Sequence, residues 1–304
     1  MIDDLHWMIA PDECSSDVHL ILFTMSLHSA EVVILAGGAS RRMGSPKALL
    51  HFSPDANVHY TLGKKGHGQS EEHRETFLDH LLSVYREAGV ERATVIWSES
   101  ARRDARVLHA ISHPQSISLK TTHVFHDDPS ADRLASVMRG LQQTEESSMV
   151  FLQDVDRPFA TPAVIRALGS ANIINGNGYA APDVFGHAGH PLLLSASAVH
   201  SILNSQRNTT EARSSGAPIT LRDLLLPLPG TLVTIGSMEE AFFLALNINT
   251  PSEYRRFFAP DPELQELPFP VKPHHPAFAP EAPWHLSDPS RHAAESYRSA
   301  TYAR

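Results

Sequence analysis

Between residues 31 and 258 the chain alternates short apolar runs with amphipathic stretches. The run 32–36 is apolar throughout and stops at Gly37 and Gly38, the pattern of a strand buried on both faces. Segment 75–88 places Phe77, Leu78, Leu81, Leu82 and Tyr85 on one helical face. A strand over 93–97, a helix over 102–111 and a strand over 121–126 follow. Segment 132–143 carries Leu134, Val137, Met138 and Leu141 at helical spacing, 148–152 reads as the next strand, and Pro162 opens a short helix over 162–168. This alternation predicts a single α/β domain built on a doubly wound, mostly parallel sheet. Sheets of that kind bind ligands at the carboxyl ends of their strands, so chemistry is expected there.

The flanks lack such a pattern. Residues 1–30 are expected to form an N-terminal extension, since 1–28 show no clear period. Residues 51–73 are polar and rich in glycine, which predicts a long loop inside the 31–258 domain. From Ala259 the composition changes: nine of the 22 prolines fall within 259–304. That tail has too little apolar periodicity to offset chain entropy, and is expected to be extended or disordered.

Bulk composition narrows the function classes. A 42% hydrophobic and 19% charged chain is ordinary for a globular protein. The formal charge of −9 argues against broad attraction to nucleic acid or to an anionic membrane. Cys14 is the only cysteine, which rules out an intrachain disulfide and a cysteine-based zinc site and fits a reducing cytoplasm. The apolar run 18–25 is too short to span a bilayer, and the acidic Asp12, Glu13 and Asp17 precede it where a signal peptide needs positive charge. A cytoplasmic location is therefore expected. An acidic protein that handles phosphates must concentrate basic residues locally.

Residues 35–47 do so. A glycine-rich turn directly after a strand lets backbone N–H groups approach phosphate without hindrance from Cβ, and Arg42 and Lys47 add fixed positive charge. The spacing fits neither a P-loop nor the dinucleotide-binding fingerprint. Gly38, Ser40, Arg42, Met43, Gly44 and Lys47 fill a pattern that resembles the signature of the nucleotidyltransferases that include molybdenum-cofactor guanylyl- and cytidylyltransferases. The resemblance implies a Rossmann-like nucleotidyltransferase fold. It also implies a loop (Leu35, Ala36, Gly37, Gly38, Ser40) that wraps the nucleotide while Arg42 and Lys47 hold its phosphates.

Four further segments extend the resemblance over about 31–258. In Gln153-Asp-Val-Asp-Arg-Pro, two carboxylates end an apolar strand, a costly position unless they face water, a cation or a partner. Asp156 matches the Asp-x-Pro metal site of the family. Asp154 matches the aspartate that methylerythritol-phosphate cytidylyltransferases place four residues before the proline, and both remain candidates for Mg2+. Arg133-Leu-Ala-Ser-Val-Met-Arg-Gly-Leu is similar to a stretch of those cytidylyltransferases, which implies that Ser136 contacts the base and Arg133 a phosphate or the acceptor. Gly189-His-Pro is similar to a motif that lines the acceptor side, so His190 is a candidate acceptor-binding residue. His187 and His190 have no convincing third ligand nearby for a transition metal. Asn247-Ile-Asn-Thr-Pro resembles the ending of the family, which implies an oxygen from Asn249 or Asn247 on the metal and acceptor side; Thr250 and Pro251 also read as a helix start.

The resemblance thus implies a Mg2+-dependent enzyme. It would move a nucleotide from CTP or GTP to a small phosphorylated acceptor, with release of pyrophosphate. Molybdopterin or its molybdenum form is the leading acceptor, because Gly-His-Pro accompanies the signature loop. Sugar- or polyol-phosphate cytidylyl transfer is the alternative, supported by Asp154 and Arg133. A nucleotide-binding regulator without catalysis is a rival of another class.

Overall fold

The computed structural model describes residues 27–37, 43, 45–52, 75–112, 119–128, 131–171, 178–209 and 219–258. Most of the expected N-terminal extension, most of the 51–73 loop and the whole Pro-rich tail lie outside them, as do Gly38, Ser40, Arg42 and Gly44.

The first strand, β1 (Glu31–Leu35), is buried along its whole length. Val32 and Ile34 face one apolar layer and Val33 and Leu35 the other, as the period of two requires. It pairs in parallel with β2 (Arg92–Trp97) on one side and β4 (Val150–Asp154) on the other, and β2 pairs in parallel with β3 (Lys120–Phe125). The second half changes direction: β7 (Leu192–Leu194) runs antiparallel to β4 and to β5 (Tyr179–Val184). Strand β5 forms a hairpin with β6 (His187–Ala188) and pairs in parallel with β8 (Gly230–Val233). The order is β3-β2-β1-β4-β7-β5-β6, with β8 joined to β5, a mixed and mostly parallel sheet.

Helices cover both faces. On one, α1 (Phe77–Ala88), α4 (Pro162–Gly169), α7 (Met238–Ala245) and α8 (Pro251–Phe258) contribute to one core. On the other, α3 (Arg133–Leu141), α5 (Ala196–Thr209) and α6 (Leu221–Leu225) enclose the second. A short helix, α2 (Ala105–Ser112), follows β2. The helix starts carry the expected chemistry. Thr76 and Asp79 form a reciprocal capping box on α1, Asp132 accepts from Ala135 N–H at α3, and Thr161 caps α4 ahead of Pro162. No helix among the described residues is long and apolar enough to cross a membrane.

The packed chain starts earlier than the sequence pattern suggests. Leu27 and Ala30 are buried, and Leu27 closes over Gly169 at the end of α4. A single 3-10 turn, Leu27–Ser29, is too short to show a period, which hid it.

Helix α3 lies unusually close to the sheet. A Cβ at Gly140 would collide with Val33 Cγ1 on β1 and approach Ile96 Cγ1 to 3.3 Å. In an exposed helix Gly→Ala stabilises by up to about 1 kcal/mol. Here overpacking reverses the sign, and Gly140→Ala should destabilise the protein by about 1–3 kcal/mol in denaturant titration. A stabilised variant would show that α3 can lift off the sheet at little cost.

Candidate active site

The carboxyl ends of β1 and β4 lie side by side, with Leu35 opposite Asp154. At this point the strand order reverses, β1 continuing to β2 on one side and β4 to β5 on the other, the position where open α/β sheets bind ligands. Three segments converge here. After β1, Ala36 N–H donates to the Ile96 carbonyl (2.9 Å), and a Cβ at Gly37 would stand only 3.1 Å from the Ser98 nitrogen. Glycine is what allows the signature loop to begin so close to β2. Its far end returns as a 3-10 turn, Lys47–Leu49, that starts after Pro46. Backbone bonds from Phe77 to Leu50 (2.8 Å) and from Phe52 to Glu75 (2.7 Å) tie it to the start of α1.

After β4 the chain turns sharply. Arg157 N–H donates to the Asp154 carbonyl (3.2 Å). Gln153 is fully buried and its amide donates to the carbonyls of Asp154 (2.8 Å) and Arg157 (3.0 Å), while its Oε1 accepts from the Tyr85 hydroxyl (3.1 Å). The third segment precedes α8. Ile248 N–H donates to the Asp156 carbonyl (2.8 Å), and the Glu253 carboxylate accepts from the N–H groups of Asn249 and Thr250 (2.8 Å each). Thr250 Oγ1 accepts from Glu253 N–H (3.2 Å), which completes the cap expected from the Thr-Pro pair.

These turns send the two carboxylates to different partners. Lys47 Nζ donates to Asp156 Oδ2 at 2.8 Å and also to Asn249 Oδ1. Asp154 is gripped by the Arg133 guanidinium in two bonds, Nε to Oδ1 (3.2 Å) and Nη2 to Oδ2 (2.8 Å). Arg157 Nε and His190 Nδ1 stand 4.0 Å and 3.7 Å from the same Oδ2. Burial opposes ionisation of Asp154, but His190, Arg133 and Arg157 outweigh it and hold the carboxyl down at about 2. Burial and the neighbouring Asp154 push the Asp156 carboxyl up, against the pull of Lys47 and Arg157. Asp154 is thus neutralised by guanidinium groups, whereas Lys47 and Arg157 offset the burial of Asp156 only in part.

His190 is buried, and its Nδ1 has no hydrogen-bond partner among the described residues. Burial pushes the imidazole down to about 3, which Asp154 counters only in part. The folded protein therefore keeps His190 neutral to about pH 3, while the unfolded chain takes up that proton near 6.5. The unfolded state binds more protons in that interval, so stability falls as pH drops through it. From pH 6.5 to 4.5 wild type should lose on the order of 2 kcal/mol relative to His190→Gln, read as the gap between their pH–stability curves. Parallel curves would mean that His190 titrates normally in the fold.

Of the residues singled out by sequence, the fold brings together Leu35, Lys47, Arg133, Asp154, Asp156, His190 and Asn249. Ser136 does not join them. Its buried hydroxyl is engaged with His126 Nε2 (3.0 Å) and the Asp132 carbonyl (3.2 Å), inside the first turns of α3. Arg42, Gly38 and Ser40 lie outside the described residues. Arg157, Gln153 and Glu253 escaped the sequence reading. Arg157 occupies the variable position of Asp-x-Pro, and Glu253 reads only as a helix-dipole residue. A glutamine at the end of an otherwise apolar strand was the one signal available for Gln153.

Asp156 Oδ2 and Asn249 Oδ1 already converge on one cation, the Lys47 ammonium. Two hard oxygens of this kind suit Mg2+, which takes one or two carboxylates and fills its remaining positions with water and phosphate oxygens. No group of three or more His, Cys, Asp or Glu side chains suited to a metal occurs among the described residues.

The MobA-like NTP transferase domain family matches residues 32–216, more than half of the chain. No curated protein matches. Solved structures similar to the chain include Rv0371c from Mycobacterium tuberculosis H37Rv, at 18% identity over 75% of this chain and 97% of that one (TM-score 0.48). Molybdopterin-guanine dinucleotide biosynthesis protein A from Archaeoglobus fulgidus is 16% identical over 74% and 95% (TM-score 0.45). 4-Diphosphocytidyl-2C-methyl-D-erythritol synthase from Anaerococcus prevotii is 14% identical over 71% and 95% (TM-score 0.41). None of these three reaches 25% identity or a TM-score of 0.5, so no substrate is inherited from them.

Proposed function

The chain belongs to the MobA-like NTP transferase family and is a nucleotidyltransferase, and from that premise we propose that it transfers CMP or GMP from the triphosphate to the phosphate of molybdopterin or its molybdenum form. The observation that carries this reading is the Lys47–Asp156–Asn249 cluster beside the end of β1, where the signature loop departs. The acceptor phosphate attacks the α-phosphorus in line, a bond to its oxygen forms, and the bond to the leaving pyrophosphate breaks. No general base is needed, because a phosphate acceptor is already ionised at neutral pH.

The barrier lies in alignment and charge. Lys47 meets the negative charge that develops on the transferring and leaving phosphates, and Arg42 joins it by the logic of the signature loop. Asp156, with Asn249, is the metal ligand. A Mg2+ bound there supplies charge neutralisation and a template for the phosphates. Asp154 plays a different part. With Arg133 and Arg157 it forms a charged wall beside His190, on the side assigned to the acceptor. The pairing of Arg133 with Asp154 supports the alternative acceptor class, a sugar or polyol phosphate, since both residues match the cytidylyltransferase pattern.

A pyrophosphate-release screen of the four common triphosphates against molybdopterin and a panel of sugar and polyol phosphates tests this reading. Turnover with CTP or GTP and molybdopterin is expected. Turnover with a polyol phosphate alone would select the alternative, and triphosphate binding without release under any condition would point to a regulator.

A further inference from the structure

Lys47 is required in two places. The proposed chemistry needs its charge on the triphosphate, yet its ammonium is bound to Asp156 and Asn249, 109 and 202 residues away in sequence. The pair is largely shielded: the side chains of Lys47 and Asp156 are 16% and 22% exposed. The two acceptor oxygens are anchored through their backbones. Ile248 N–H holds the Asp156 carbonyl, and Glu253 holds the N–H groups flanking the Asn249 side chain. The ammonium alone is carried on a flexible four-carbon stem, so it is the member of the cluster that can leave.

A divalent cation held by the same two oxygens would compete for the space the ammonium fills. Two cations that share one carboxylate oxygen and one amide oxygen repel each other at short range, and a shielded setting strengthens that repulsion. Resting on the metal role proposed above for Asp156, we infer that Lys47 and the divalent cation exclude one another at the Asp156–Asn249 pair. Metal capture is therefore coupled to the triphosphate, which draws Lys47 onto its phosphates and frees the oxygens. By linkage, triphosphate and metal each raise the affinity of the protein for the other. The device keeps Asp156 neutralised before substrate arrives and weakens metal binding until phosphates are present.

The test measures binding of Mn2+ alone, without nucleotide, by electron paramagnetic resonance of the free ion. Wild type, Lys47→Met and Asp156→Asn are compared. Lys47→Met should bind Mn2+ about tenfold more tightly than wild type, within the range usual for coupled sites. Asp156→Asn should bind most weakly. If Asp156→Asn loses Mn2+ while Lys47→Met binds no better than wild type, the exchange is wrong and the metal reading survives. If Asp156→Asn binds as wild type does, the metal reading fails and takes the exchange with it.

A second measurement uses wild type only, and so decides the matter even if Lys47→Met folds poorly. Lysine-selective acylation, read by mass spectrometry, should modify Lys47 severalfold faster at saturating Mn2+, with the exposed Lys120 as internal reference. Unchanged Lys47 labelling would overturn the exchange, because the lysine would then stay on Asp156 with the metal bound. The labelling also separates true exchange from a general charge effect, which would tighten Mn2+ binding in Lys47→Met without moving Lys47 in wild type.

Discussion

Lys47→Ala should slow pyrophosphate release by about a hundred- to a thousandfold, the usual cost of removing one preorganised donor from developing charge. The fold should survive. Lys47 contributes no apolar core, and although its loss leaves Asp156 without its cation, that carboxyl is already pushed up by burial and by Asp154 and can accept a proton. Stopped assays of turnover beside far-ultraviolet circular dichroism separate the two effects. The variant should also show a pattern that simple damage does not produce: slower chemistry together with tighter metal binding. Near-normal turnover in a folded Lys47→Ala would remove the lysine from the mechanism and leave it as the counter-ion of Asp156.

The second large effect separates the two aspartates. Asp156→Asn keeps the side-chain shape and removes the charge that Asn249 and the turn aim at the cation, so activity should fall by about a hundredfold or more and need higher Mg2+. Thermal stability should change little, since this carboxyl is the less well compensated of the two. Asp154→Asn should behave in the opposite way. It leaves Arg133 and Arg157 facing a neutral amide, and the loss of a paired charge in a shielded site should cost on the order of 1–3 kcal/mol, moderated because the Arg133 side chain is 44% exposed. Its Mg2+ requirement should stay near that of wild type. Melting temperatures and Mg2+ titrations of both variants give the comparison. A normal Mg2+ response in Asp156→Asn, with a raised requirement in Asp154→Asn, would reverse the assignment.

The sequence by itself determined the parts that depend on contiguous residues. The continuous apolar run of β1 and the helical spacing in α1 and α3 are set by neighbours a few positions apart. The alternation of these elements implied a sheet with helices on both faces. The signature from Gly38 to Lys47 and the Thr250-Pro251 helix start were legible for the same reason: their chemistry is local. The antiparallel insertion of β7 between β4 and β5 was not legible, because three consecutive leucines carry no information on strand direction.

Only the tertiary structure decided what each charged group faces. Asp154 and Asp156 are two positions apart, and in a continuing strand both would point to the same side of the sheet. The strand ends at Asp154, and the turn closed by Arg157 N–H and braced by buried Gln153 rotates Asp156 away. One carboxylate thereby meets Arg133, from a helix 21 residues upstream, and the other meets Lys47 and Asn249, from opposite ends of the domain. The Ser136 hydroxyl on α3 meets the His126 ring. Periodicity shows which face of a helix is apolar. It does not show where a polar residue at the margin of that face finds its hydrogen bond, because that depends on partners brought close only by the folded chain.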